Sequence, residues 1–248
     1  MKQIIQNYNN VFWNEIKHYD LTDSNLLRKA IHSFDVAKYC FSIACNKNLS
    51  EKERNLCYLI GLFHDIGRFE QWIKYKTYDD NKSVDHGDLS YNILSNLKYK
   101  ELLNLNKAEY RIFKESICYH TKPYLGDDVD IIKFNNILKN SDAFANVVTT
   151  ANGMQQMTVS KNGVTKEILD DFNNRKFLKF YSPKTKLDRC LMLTACCYYI
   201  DNKYIRKIIA ESNYIKIIFE SFSKYLTQQD KEIFKNAIIG LETDYLNI

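Results

Sequence analysis

The chain has 248 residues, of which only 7 are glycine and 2 are proline, while 45% are hydrophobic and 14% aromatic. That balance excludes turn-rich β-sandwiches and barrels, collagen-like repeats and a mainly disordered chain, and it leaves an all-α globule. The net charge of +5 is mild, and its basic and acidic residues are interspersed, so nucleic acid is an improbable partner and an anionic small molecule a better one.

Residues 1–20 carry polar and charged side chains throughout and lack the apolar core of a signal peptide. From Ser24 to Cys45 two stripes recur at helical spacing, one through Ile31, Phe34, Phe41 and Ala44 and one through Val36, Cys40 and Ile43. They predict a helix covered on most sides. Ser50 and Glu53 form a capping-box pattern opening a helix through Leu56, Ile60 and Phe63 to Asp65, with Gly67 as its stop. Residues 68–84, polar and aromatic, read as a loop. Asp85 can cap a helix through Leu89, Ile93 and Leu97, and Asn106 with Glu109 opens another through Phe113 and Ile117 to His120, which Pro123 closes. Ile131, Ile137 and Leu138 mark a helix reaching about Val148.

The least helical stretch is 149–164, where Asn162-Gly163 admits a short β-hairpin near residues 155–166. Helices resume at Thr165 and near Leu187, Lys203 and Gln228. No segment has a linker's composition, so the expectation is one compact multi-helix domain over 1–248, with a core at 24–150 and a helical C-terminal part at 165–248. The longest uncharged apolar run near the end, Leu191 to Ile200, is about half a membrane span. Seven cysteines without a CxxC pair suit buried, reduced packing residues. A cytoplasmic protein with no membrane partner is expected, and oligomerisation is left open.

Chemistry concentrates in the five histidines, His18, His32, His64, His86 and His120. One histidine on an apolar face is ordinarily a core residue held by a backbone carbonyl. Here, however, His64 ends the seam Cys57–Ile60, His120 ends Phe113–Ile117, and Asp142 lies on the seam Ile131–Asn135–Leu138–Ala145. A buried carboxylate without a partner costs several kcal/mol, so Asp142 requires a cation or strong donors. Neutral imidazoles and carboxylates converging from several helices make a divalent transition-metal site.

The segment His64 to Trp72 reads HDIGRFEQW and contains the His-Asp-Ile-Gly signature of the HD superfamily of metal-dependent phosphohydrolases. The order His32, His64-Asp65, His86, His120, Asp142 resembles the H…HD…H…H…D pattern of members that hold two metal ions. The run through SVDHGDL is similar to stand-alone, mostly bacterial HD-domain proteins of about this length. The resemblance implies one or two divalent ions (Mn, Fe, Ni, Zn or Mg). His32, His64, Asp65 and Asp142 would hold one ion, and Asp65 would bridge to a second held by His86 and His120. Where the two-ion pattern has consecutive histidines, this chain reads Cys118-Tyr119-His120-Thr121, and it has no GYP signature. Both departures speak against cyclic-di-GMP hydrolysis.

The activity implied is hydrolysis of a phosphate ester of a nucleotide or related small molecule by a metal-activated hydroxide. Asp65 and Arg68 would be catalytic, and Arg68 and Lys122 would bind substrate phosphate. The alternative is a nucleotide- or nucleic-acid-binding or sensing protein with a structural metal and no turnover, for which Trp72, Tyr75 and Tyr78 could stack on a base.

Overall fold

A computed structural model describes residues 2–153, 157–176, 178 and 181–246, and among them it is all-α with no strand. The chain divides into two compact units, residues 1–142 and 143–248.

The first unit contains α1 (Lys2–Ile16), α2 (Ser24–Asn46), α3 (Glu51–Phe63), α4 (Ile66–Tyr75), α5 (His86–Leu94), α6 (Lys98–Leu102), α7 (Lys107–Cys118) and the start of α8 (Val129–Ala151). The capping boxes at Ser50/Glu53 and Asn106/Glu109 form as their sequences predict. In α2 the stripe Val36, Cys40 and Ile43 is fully buried, whereas Ile31 of the other stripe is 45% exposed. Only one face of α2 is therefore fully covered. Its main partner is α3, and the two backbones come together at Gly61, where a Cβ would lie 2.8 Å from Ala37 Cα and 2.9 Å from Val36 O. The core is aromatic: Phe12 of α1 meets Phe34, Phe63 and Phe69 edge-on, and Phe63 meets Phe113.

The loop expected over 68–84 is a helix for its first half. Gly67 does not end α3; it sits in the first turn of α4, and the chain bends one step earlier, at His64-Asp65. The reason is packing. A Cβ on Gly67 would lie 2.7 Å from Ser90 N and 2.9 Å from His86 O of α5, so this glycine marks where α5 crosses α4. The amphipathic α4 buries Ile66, Phe69 and Gln71. Ser90 Oγ accepts from Gly67 N at 2.9 Å and donates to His64 O at 3.0 Å, which ties the bend to α5.

The second unit continues α8 and adds α9 (Lys166–Asn173), α10 (Lys186–Thr194), α11 (Lys203–Glu211), α12 (Tyr214–Ser223) and α13 (Gln228–Leu246). Thr165 and Asn202 stand at the N-caps of α9 and α11. The hairpin expected near 155–166 is absent among the described residues; Gln155 and Gln156 lie outside them. The backbone groups of this stretch are taken by α10 and α13 instead of a partner strand. Gly163 N donates to Asp230 Oδ2, Lys186 N to Lys161 O, and Thr165 N to Asp188 Oδ1.

Asp188 is fully buried and accepts from Thr165 N and Oγ1 at 2.7 Å, Lys184 N at 3.0 Å and Thr185 N at 3.1 Å. Burial pushes its carboxyl up, but these donors outweigh burial and hold it below the ordinary carboxylate value. All seven cysteines are free, five of them buried, and burial pushes the Cys40 thiol up to about 12. No helix among the described residues is long and apolar enough to cross a membrane.

Two outcomes are expected. Gly67→Ala forces backbone of α4 and α5 apart and should lower stability by about 1–3 kcal/mol in chemical denaturation. Asp188→Ala strands buried donors and should cost on the order of 3 kcal/mol. Because the folded carboxyl lies below its unfolded value, the stability it contributes is present above roughly pH 4 and is lost as pH falls through the folded pKa. The gap between wild type and variant should therefore narrow in acid.

Candidate metal centre

Every residue of the H…HD…H…H…D order lies in the first unit, and five separate places along the helices deliver them. His32 comes from α2, His64-Asp65 from the bend between α3 and α4, His86 from the first turn of α5, His120 from just beyond α7, and Asp142 from α8. At that bend Asp65 takes the N-cap position of α4, yet its side chain caps nothing and turns to the centre.

Asp65 organises the cluster. Its Oδ2 lies 3.6 Å from His64 Nε2 and 3.9 Å from His32 Nε2. Its Oδ1 lies 3.4 Å from His86 Nε2 and 3.9 Å from His120 Nε2. Asp142 Oδ1 is 2.9 Å from His32 Nε2 and 3.9 Å from His64 Nε2. Ligand atoms of His32, His64 and Asp142 lie within 4.8 Å of one another, as do those of His64, Asp65 and His120. The centre opens toward one side: the side chain of His64 is wholly buried, while His32 is 10% and Asp142 30% exposed.

Three imidazoles are fixed through Nδ1. His64 Nδ1 donates to Gly61 O at 2.8 Å, His120 Nδ1 to Ile117 O at 2.5 Å, and His86 Nδ1 to Asp80 Oδ2 at 2.7 Å. A carbonyl oxygen can only accept, so in the neutral rings of His64 and His120 Nε2 is a bare lone pair. His64 Nε2 is buried with no hydrogen-bond partner. His86 and His120 present Nε2 to Nε2 at 3.0 Å, an arrangement that two neutral rings tethered in this way cannot satisfy by themselves.

Burial keeps all three rings neutral, pushing His64 down to about 4 and His86 to about 3 and lowering His120. Burial alone would push Asp65 and Asp142 up, but Lys29 beside Asp65 and His32 on Asp142 hold both carboxyls below their ordinary range. Neutral imidazoles with inward lone pairs, ionised carboxylates and an orphaned His64 nitrogen are what a divalent cation requires. A separation of 3.0 Å also suits two nitrogens each about 2.1 Å from a shared ion. The residues fit the group.

Arg68 is held in α4: its Nη1 donates to Asp80 Oδ1 at 2.8 Å, and to Gln71 Oε1 and Tyr78 O at 2.7 Å. Its Nε is buried without a hydrogen-bond partner, 3.7 Å from Asp65 Oδ1. Lys122 pairs with Asp88 and lies over the Tyr119 ring; none of these contacts is with the six residues. His18 is not part of the cluster.

Sequence reasoning missed two participants. Asp80 orients His86 and anchors Arg68, a carboxylate–histidine support typical of metal sites, but no spacing marks it within its polar loop. Lys29, whose ammonium lies 2.7 Å from Asp65 Oδ2, precedes His32 by three residues on α2, one turn along the same face. That placement was a readable signal.

If the unpaired lone pairs are filled by a cation, the folded state gains from it. Protein stripped by a chelator and then given Mn²⁺ or Zn²⁺ should show a melting temperature higher by several degrees, and His64→Ala should abolish most of that rise.

No curated protein and no solved structure matches the chain significantly. Residues 30–147 match the sequence model of the HD domain, the same interval that supplies all six converging side chains. That match supports membership of the HD-domain superfamily, whose members are generally metal-dependent hydrolases.

Proposed function

We propose that the protein hydrolyses a phosphate ester, monoester or diester, of a nucleotide or related small molecule. The observation that carries this reading is the division of labour at Asp65, whose two oxygens face different histidine pairs. That arrangement supports two neighbouring cation positions. One would be formed by His32, His64, Asp65 and Asp142, the other by Asp65, His86 and His120. When bound, divalent cations supply Lewis acidity toward a phosphoryl oxygen and water acidified to a pKa of about 7.

The protein's own groups then have definite tasks. Asp65 orients the attacking water and keeps its charge because its carboxyl is held well below the ordinary range. The water gives up a proton to solvent, its oxygen forms a bond to phosphorus in line with the ester oxygen, and that oxygen leaves with the electron pair of the breaking P–O bond and takes up a proton from solvent. Arg68, its Nη1 clamped by Asp80, offers its unpartnered Nε edge to the charge developing on the phosphoryl oxygens. Asp80 and the carbonyls of Gly61 and Ile117 keep three imidazoles in one tautomer, so no reorganisation is needed on binding. The partial exposure of Asp142 and His32 gives the substrate its approach.

The test combines elemental analysis of the purified protein with a hydrolysis screen of nucleotides and cyclic dinucleotides in added Mn²⁺, Fe²⁺, Ni²⁺ or Mg²⁺. Asp65→Asn keeps the shape of the side chain and removes its charge, so metal content and turnover should both collapse. Arg68→Ala should keep its metal and lose turnover by about a hundredfold. Full metal content and full activity in Asp65→Asn would sink the mechanism.

A further inference from the structure

Among the described residues Lys29 is the cation nearest the bridging carboxylate, at 2.7 Å against 3.7 Å for Arg68 Nε, and the scheme above gives it no task. Its ammonium lies 2.7 Å from Asp65 Oδ2, the oxygen that also faces His64 Nε2 at 3.6 Å and His32 Nε2 at 3.9 Å. The protein therefore places an internal cation on the very oxygen that a divalent ion among His32, His64 and Asp142 would share. Two cations on one carboxylate oxygen repel each other strongly in a partly dry site. Loading the centre weakens the Lys29–Asp65 contact, and an ammonium left there without an anion is costly.

The surroundings show where that charge can act. Lys29 is 14% exposed at its side chain, on a flexible four-carbon stem. It belongs with His32 and Asp142 among the accessible members of the cluster and not with the fully buried His64. The Tyr78 ring gathers three cations: Lys29 Nζ is 5.2 Å from its centroid, and the guanidinium carbons of Arg28 and Arg68 are each 5.7 Å away. Asp80 is already occupied by Arg68 and His86. Once a cation takes Asp65, this rim carries more positive charge than its carboxylates balance. The missing partner is an anion.

We infer that Lys29 is a displaceable counter-ion: it rests on Asp65 until the metal is bound, and then donates to a phosphoryl oxygen of the substrate. The inference rests on the phosphohydrolase reading above and adds a residue and a coupling to it. Metal loading frees the ammonium, so the centre acquires affinity for a phosphate dianion only when it is loaded. No proton or covalent bond moves in this exchange; one charge-assisted hydrogen bond replaces another.

The test uses the full chain, metal-depleted or Mn²⁺-saturated, with calorimetric titration of Mn²⁺ and then of inorganic phosphate. Wild type should bind phosphate only when loaded. Lys29→Gln and Lys29→Met keep the stem and remove the charge. Each should bind Mn²⁺ about tenfold more tightly, because the competitor is gone, and bind phosphate about tenfold or more weakly. A residue with a merely structural role would not shift the two affinities in opposite directions. Lys29→Arg, which keeps the charge, should not tighten Mn²⁺, and it serves if either neutral variant fails to fold. Folded neutral variants with unchanged phosphate affinity overturn the role of Lys29 even if metal tightens, and so does phosphate binding to metal-free wild type. Wild type that binds no Mn²⁺ overturns the phosphohydrolase reading as well, so the two failures are distinguishable.

Discussion

One carboxylate sets the terms for the first unit. Asp65 is an ionised side chain in a nearly closed setting, placed at the break between two helices, where a side chain would ordinarily cap the following turn. It forgoes that role, and its charge must be met from elsewhere. Lys29 meets part of it on Oδ2, while four imidazoles surround its two oxygens. The local packing serves this placement. Gly61 lets α3 settle against α2, Gly67 lets α5 settle against α4, and Ser90 bonds both sides of the bend. Without those close approaches, His32 and His86 could not come within ångströms of the same carboxylate.

The histidines reconcile two readings that look opposed. A core histidine satisfied by a backbone carbonyl and a metal-ligating histidine are the same residue seen from its two nitrogens. In His64 and His120 the carbonyl takes the Nδ1 proton, and that bond leaves Nε2 bare and aimed at the cluster. In His86 a carboxylate, Asp80, does the same. Burial then depresses all three rings enough to keep them neutral near physiological pH, which is the protonation state a metal ligand needs.

Asp188 of the second unit is a useful contrast. It too is wholly buried, and it too stays ionised. Yet two Thr165 groups and two backbone N–H donors fill its lone pairs, so it pins the entry of α9 to the start of α10 and calls for no cation. Asp65 has lysine and imidazole neighbours in place of backbone donors. Around Asp188 the lone pairs meet donated protons, whereas His64 and His120 turn bare nitrogens toward Asp65.

Much of this was legible along the chain. The shortage of glycine and proline dictates helices, the capping boxes at Ser50 and Asn106 fix where two of them start, and the order His32, His64-Asp65, His86, His120, Asp142 marks the residues that converge, because side-chain type and helical seam are local properties. Gly67 looks like a helix stop in sequence but sits inside the first turn of α4, since a glycine required by a neighbour's backbone has the same letter as one required by a turn. The hairpin at Asn162-Gly163 failed for a related reason: turn propensity is local, but the groups that satisfy Gly163 and Thr165 come from Asp230 and Asp188, far along the sequence. Asp80 could not be singled out at all, because its meaning arises only where a loop folds over His86 and Arg68. Sequence by itself determined which residues could hold a cation; tertiary structure alone decided which oxygen of Asp65 faces which histidines, and that Lys29 already rests on one of them, because those are distances between helices and no spacing along the chain encodes them.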